Sequence, residues 1–182
     1  SILILNTQKD GYSNQDARVQ VWAAASELRV SSENLTQYAR AYVSTRDSAW
    51  LYKYYDALEK RSGKIPREKG RAISLLDSIA KIKIPEAEFA LLKESEHRSN
   101  DLSIVEIAAM NAARGLYPDK TLKYTVKGKV DLEYANDLLY SDKYRSDKKL
   151  VMDPIDEFLS LLKKRAISSV DYYNSKITYY TT

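Results

Sequence analysis

Cysteine is absent from the 182-residue chain, and histidine occurs once, at His97. The first absence excludes disulfides, thiolate zinc sites, haem attachment through paired cysteines and a cysteine nucleophile. The second leaves Glu94 and His97, at the helical spacing of di-iron bundles, without the second such pair that those sites need. Glycine and proline number only 5 and 4, so material for tight turns is scarce and long helices are favoured over a sandwich or barrel. There is no glycine-rich phosphate loop and no apolar run long enough to span a bilayer. The 29 basic and 25 acidic residues are mixed along the chain rather than gathered in a patch, which argues against a nucleic-acid partner. What remains is one all-α domain, long enough to bury a sizeable core, with no catalytic residue, metal site or cofactor site to nominate.

The stretch from 19 to 47 organises the rest. Val21, Ala25, Leu28, Ser32, Leu35, Ala39 and Tyr42 recur at alternating steps of four and three, which keeps one seam facing partner helices and marks it as core. One residue further round, Trp22, Ser26, Arg29, Glu33, Thr36, Arg40 and Val43 form a stripe that is apolar at both ends and polar in the middle. Such a half-buried stripe suits a subunit interface, a ligand groove or a solvated flank with ordinary ion pairs.

The first helix is expected from about Asn14–Asp16 to Ser44, with Asp47 or Ser48 capping the next. Ala49 to Arg61 is aromatic-rich and is interrupted by Ser62-Gly63-Lys64-Ile65-Pro66 before a second helical run from about Glu68 to Ile82, giving one broken second helix. Pro85 opens a long third helix that lasts to about Leu116, with Glu86 and Glu88 set against its positive end. Its seam reads Leu91, Ser95, Arg98, Leu102, Val105, Ala109 and Ala112, beside a stripe of Leu92, Glu96, Ser99, Ser103, Glu106, Met110 and Ala113. A connection over 117–129 leads to a fourth helix in two pieces, 130–140 and 141 to about 180. Its core stripe is Tyr144, Val151, Ile155, Phe158 and Leu162, shifting phase to Ala166, Val170, Tyr173 and Ile177. Pro154 removes one backbone hydrogen bond and should bend it. The expected architecture is an antiparallel up-down-up-down four-helix bundle. The apolar start Ser1-Ile2-Leu3-Ile4-Leu5 and the helical pattern reaching almost to Thr182 suggest a piece excised from between two membrane spans.

Four segments, 22–47, 54–67, 91–117 and 135–165, resemble the extracytoplasmic sensor regions of bacterial methyl-accepting chemotaxis proteins, with related regions in some sensor kinases. The family's turn reads Thr-Gly-Asp where this chain has Thr45-Arg46-Asp47. The resemblance implies a periplasmic helical domain of an inner-membrane receptor, held between two transmembrane helices and usually homodimeric. Ligand binding between helices would slightly displace the last helix and bias a two-state signalling element. A sensor domain of a transmembrane histidine kinase, or a helical scaffold with no small ligand, are the alternatives. The expected partner is a small organic anion or zwitterion, or a periplasmic binding protein.

For direct binding, the polar middle of the first-helix stripe nominates Arg29 and Arg40, whose forked donors suit a carboxylate, with Glu33 and Thr36 beside them and Ser99 and Glu106 opposite on the third helix. The competing expectation is that Arg29 pairs with Glu96 and Arg40 with Glu106, which would neutralise both arginines.

Overall fold

The computed structural model describes residues 2–67, 70–82 and 84–181, with side-chain burial described from Ala17 to Tyr172. It is mostly helical: α1 Ile2–Thr45, α2 Ser48–Ser62, α3 Leu75–Ala80, α4 Glu86–Ala112, α5 Leu132–Tyr140 and α6 Asp142–Thr181, with a two-stranded sheet, β1 Leu116–Pro118 and β2 Tyr124–Lys127. Among the described residues no helix is long and apolar enough to cross a membrane.

The α1 seam is buried at every position from Val21 to Tyr42. The helix starts at Ile2, earlier than the Asn14–Asp16 capping signal suggests, so that signal lies inside a helix that continues through it. At the other end Arg46 closes α1 in the left-handed region, φ 56, and its N–H donates to Tyr42 O. Left-handed residues commonly end helices and are commonly glycine, the residue the resembling family places there. Asp47 then caps α2, its carboxylate accepting from Ala49 N.

Gly63 ends α2 with φ 78, and a Cβ there would lie 2.3 Å from Ser74 N, so the returning chain crosses α2 at a point only glycine permits. The second half of the broken helix is much shorter than its pattern implies. Gly70 and an extended Ile73–Ser74 occupy the middle of the expected run, and α3 begins only where the Ser74 hydroxyl accepts from Asp77 N. Glu68 and Lys69 lie outside the described residues.

On α4 the buried face runs through Leu92, Ser95, Ser99, Leu102, Glu106 and Ala109 to Ala113. The expected seam is therefore corrected by a fraction of a turn. Arg98 is exposed, its guanidinium paired with Glu94, while Leu91 and Val105 are half-buried. A charge at a seam position is expelled unless it has a buried partner, and the small Ser99 and the well-satisfied Glu106 are admitted instead.

The 117–129 connection is not irregular. Leu116 pairs with Lys127 and Tyr117 with Val126, with a bulge before Pro118. Gly115 (φ 71) allows the turn out of α4, because a Cβ there would meet Gly128 O at 2.5 Å. The Asp119 carboxylate organises the hairpin tip, accepting from Thr121 N, Thr121 Oγ1, Lys123 N and Thr125 Oγ1, and these bonds pull its pKa down to about 2.

Ser141, extended at ψ 159, separates α5 from α6. Tyr144, Val151, Ile155, Phe158 and Leu162 are all buried on α6, which continues through Pro154. Beyond Leu162 the stripe fades: Ala166 is half-buried, Val170 is exposed, and Tyr173 and Ile177 lie outside the described side chains.

Two apolar clusters form the core. One gathers Leu35, Ala39 and Tyr42 of α1 with Tyr54, Leu102, Ala109, Met110, Leu139, Tyr144 and Val151. The other gathers Val21, Ala25 and Leu28 with Leu75, Ile79, Leu92, Ile155, Phe158 and Leu162. The middle of α1, from Val21 to Leu28, therefore packs beside the first part of α4 and the middle of α6.

Candidate functional site

Between the two clusters the seam turns polar on several helices at once: Ser32 and Thr36 on α1, Arg61 on α2, Ser95, Ser99 and Glu106 on α4, and Lys148 on α6. Glu106 is 2% exposed and accepts from three hydroxyls on three other helices: Thr36 Oγ1 at 2.9 Å, Tyr54 Oη at 2.8 Å and Tyr144 Oη at 2.7 Å. A buried carboxylate is tolerable only when its oxygens are satisfied in this way. Burial is the main cause that raises the pKa of both tyrosines, with the charge of Glu106 second, so both stay protonated as donors.

A second chain of contacts runs from α2 to α6. Arg61, 3% exposed, donates from Nη1 to Ser99 Oγ (2.6 Å) and from Nη2 to Asn100 Oδ1 (2.8 Å). Ser99 Oγ donates to Ser32 Oγ (3.2 Å), and Lys148 Nζ donates to Ser32 O (2.7 Å) and Ser32 Oγ (2.9 Å). Among the described residues neither Arg61 nor Lys148 has a carboxylate within ion-pair distance. Burial lowers the pKa of both: that of Lys148 falls to about 8 against the opposing pull of Glu106 and Glu33, and that of Arg61 is held up by Glu96, Tyr54 and Glu106. Burial in turn raises the pKa of Glu96, opposed by Arg61. The layer thus holds one buried cation, Arg61, and one half-buried cation, Lys148, by neutral oxygens and by through-space attraction.

The six nominated residues divide between this layer and its rim. Thr36, Ser99 and Glu106 meet inside it. Arg29 and Glu33 lie at the rim, where Arg29 pairs with Glu33 and with Asp156 of α6. Arg40 donates to Leu139 O at 2.8 Å and lies over the rings of Tyr140 and Tyr144, leaving its buried Nε without a partner. The expected pairs Arg29–Glu96 and Arg40–Glu106 do not form. Asp156 and the Leu139 carbonyl, both on the α5–α6 side, take the arginines that α4 was expected to take, while hydroxyls satisfy Glu106. His97 is exposed and sits beside Asp101.

Tyr54, Arg61 and Lys148 were not nominated. Lys148 had a readable signal, since it falls four residues after Tyr144 and three before Val151, on the core stripe itself. Arg61 had none, because its partners Ser99 and Asn100 lie on α4, far away in the sequence.

Among the described residues, two clefts on the surface bear on the site. One, of about 430 Å³, lies between α1, α2 and the segment leading into α3, and Arg61 lines it. The other, of about 620 Å³ and mainly apolar, lies between α1 and α6 around Val19, Trp22, Leu159 and Leu162.

Comparison with family models, curated proteins and solved structures finds no match.

Proposed function

We propose that the chain is the extracytoplasmic, ligand-sensing domain of a transmembrane chemoreceptor of the bacterial inner membrane. In this reading α1, α2 with α3, α4, and α5 with α6 are the four members of an up-down-up-down bundle, and α1 and α6 lead to the membrane. The observation that carries the reading beyond the resemblance is the polar layer. Through Tyr144 and Lys148, α6 is held to α1 and α4 by a few directional bonds to buried groups. Displacing α6 along its axis breaks these bonds as a set, which favours discrete positions over continuous sliding. A ligand then biases the positions only by its differential affinity for them. A homodimer with α1 near its axis fits the same reading, since Val19 and Trp22 at the apolar cleft are 61% and 57% exposed.

The test is a chimera that places this chain between the membrane helices and cytoplasmic hairpin of a chemoreceptor, expressed in cells lacking other receptors. Lys148→Met and Tyr144→Phe should each shift the resting output without lowering receptor abundance. Output that is the same with the domain intact, altered at both positions or deleted overturns the reading.

A further inference from the structure

The cleft between α1, α2 and α3 carries a charge arrangement that neither the resemblance nor the α1 stripe anticipates. Three cations line it, Lys60, Arg61 and Arg67, against one carboxylate, Glu27. Two of the cations have carboxylate partners: Lys60 with Asp56 at 2.7 Å and Arg67 with Glu27 at 3.3 Å. Arg61 is held by the neutral Ser99 and Asn100, so among the described residues of the wall it is the cation without a carboxylate at ion-pair distance, with Glu96 acting on it through space. Two polar atoms of lining residues are buried with no hydrogen-bond partner, Arg67 Nη1 and Ser31 Oγ. An orphaned guanidinium donor and an orphaned hydroxyl on residues that line the same cleft make an incomplete acceptor site, since buried polar groups are ordinarily satisfied. Val30, Ala57 and Leu75 supply an apolar floor, and the cleft's volume of about 430 Å³ is in the range of small-ligand sites.

We propose that this cleft binds a small aliphatic monocarboxylate, its carboxylate taken by Arg67 Nη1 and Ser31 Oγ in the field of Arg61 and its chain laid on Val30, Ala57 and Leu75. One carboxylate answers the Arg61 guanidinium, which has no ion pair among the described residues, and a second negative charge would face Glu27. The proposal deepens the receptor reading by naming a ligand class and its place, and rests on that reading only for any signalling consequence. That consequence has a route, because Arg61 reaches α6 through Ser99, Ser32 and Lys148.

The experiment is a titration of the isotopically labelled chain, followed by amide chemical shifts, with butyrate, butylamine and inorganic phosphate as probes. Butyrate should give saturable shifts at Ser31, Arg61 and Leu75; butylamine, with the same chain and the opposite charge, should give none; and phosphate should bind at least tenfold more weakly. Arg67→Gln should weaken butyrate at least tenfold, whereas Arg29→Ala and Arg40→Ala leave it unchanged. Because Arg67→Gln also disturbs Glu27, Ala57→Phe, which fills the cleft from the α2 wall, is a second variant and should abolish the shifts. No saturable binding, equal binding of phosphate, or butyrate binding that survives both variants overturns the proposal. In the chimera, butyrate that binds the cleft without changing output overturns the receptor reading and leaves the cleft standing. An output response to butyrate that persists in Arg67→Gln and Ala57→Phe does the reverse.

Discussion

The two halves of the core differ in how they are closed. Around Leu35, Tyr54, Leu102 and Tyr144, complete helices surround the core, and α5 and the β hairpin cover its end. Around Leu28, Leu92, Ile155 and Phe158, the wall opposite α6 is the short α3, Leu75 to Ala80, entered through an irregular segment. The first half takes its specificity from directional bonds to the buried Glu106, the second from an apolar interior whose polar contacts, such as Arg67–Glu27 and Arg165–Glu88, lie at its edge. Regions with few buried contacts and irregular backbone open at lower free energy than helices in a full core. The half that contains the monocarboxylate cleft is thus the half whose wall is easiest to move, and the polar layer is the joint between them.

The largest expected effect breaks the apolar half. Phe158 is fully buried, and Phe158→Ala should cost about 3–5 kcal/mol by lost transfer energy and a cavity, read by chemical denaturation. In the other half Tyr54→Phe and Tyr144→Phe should each cost about 1–2 kcal/mol, because each removes one donor from a buried carboxylate. The double variant should depart from additivity by about 0.5 kcal/mol or more, since both hydroxyls serve Glu106. Additive losses would mean that the two tyrosines are independent and that the layer is no joint.

The layer also predicts a pH dependence that the apolar half lacks. The folded-state pKa of Lys148, about 8, lies below its unfolded value near 10.4, so between these values the unfolded chain holds more protons and stability rises with pH. Tyr54 and Tyr144 act in the other direction. Their folded values are raised, so above about pH 10 the unfolded chain loses protons that the folded chain keeps, and stability falls. Denaturation midpoints between pH 7 and 11 should rise and then fall, and Lys148→Met should remove the rise while leaving the fall. The smallest effect is expected where α1 turns into α2. Arg46→Gly, relieving the left-handed φ of 56, should stabilise the chain by roughly 0.5–1 kcal/mol, measurable as a shift in denaturant midpoint at constant slope.

Legibility in the sequence followed the same division. The α1 seam and the α6 stripe from Tyr144 to Leu162 were readable because apolar residues recur there at heptad spacing, interrupted once in each by Ser32 and Lys148. On α4 the expected seam holds at Ser95, Leu102, Ala109 and Ala112 but misses at Leu91, Arg98 and Val105, because the buried face also takes in Ser99 and Glu106, which hydrophobic periodicity does not register. The hairpin was hidden because three- and four-residue strands leave too short a pattern, and because Asp119 builds its turn from side-chain bonds rather than from a familiar glycine pair. Of the candidate site, Thr36, Ser99 and Glu106 were found through their helix faces. Arg61 and Arg67 depend on contacts distant in the sequence, with α4 and α1, and the cleft on a return of the chain past Gly63 that no local pattern encodes.

The central claim is that the α3 side is the movable wall and that the polar layer separates it from a firmer half. Native-state hydrogen exchange tests this most directly, comparing amides of α3, Leu75–Ala80, with those of residues 102–112 in α4. The account predicts that α3 exchanges through an opening well below the global unfolding free energy, independent of denaturant at low concentration, while 102–112 exchanges only by global unfolding. Equal opening free energies for the two segments, with the same denaturant dependence, would contradict it.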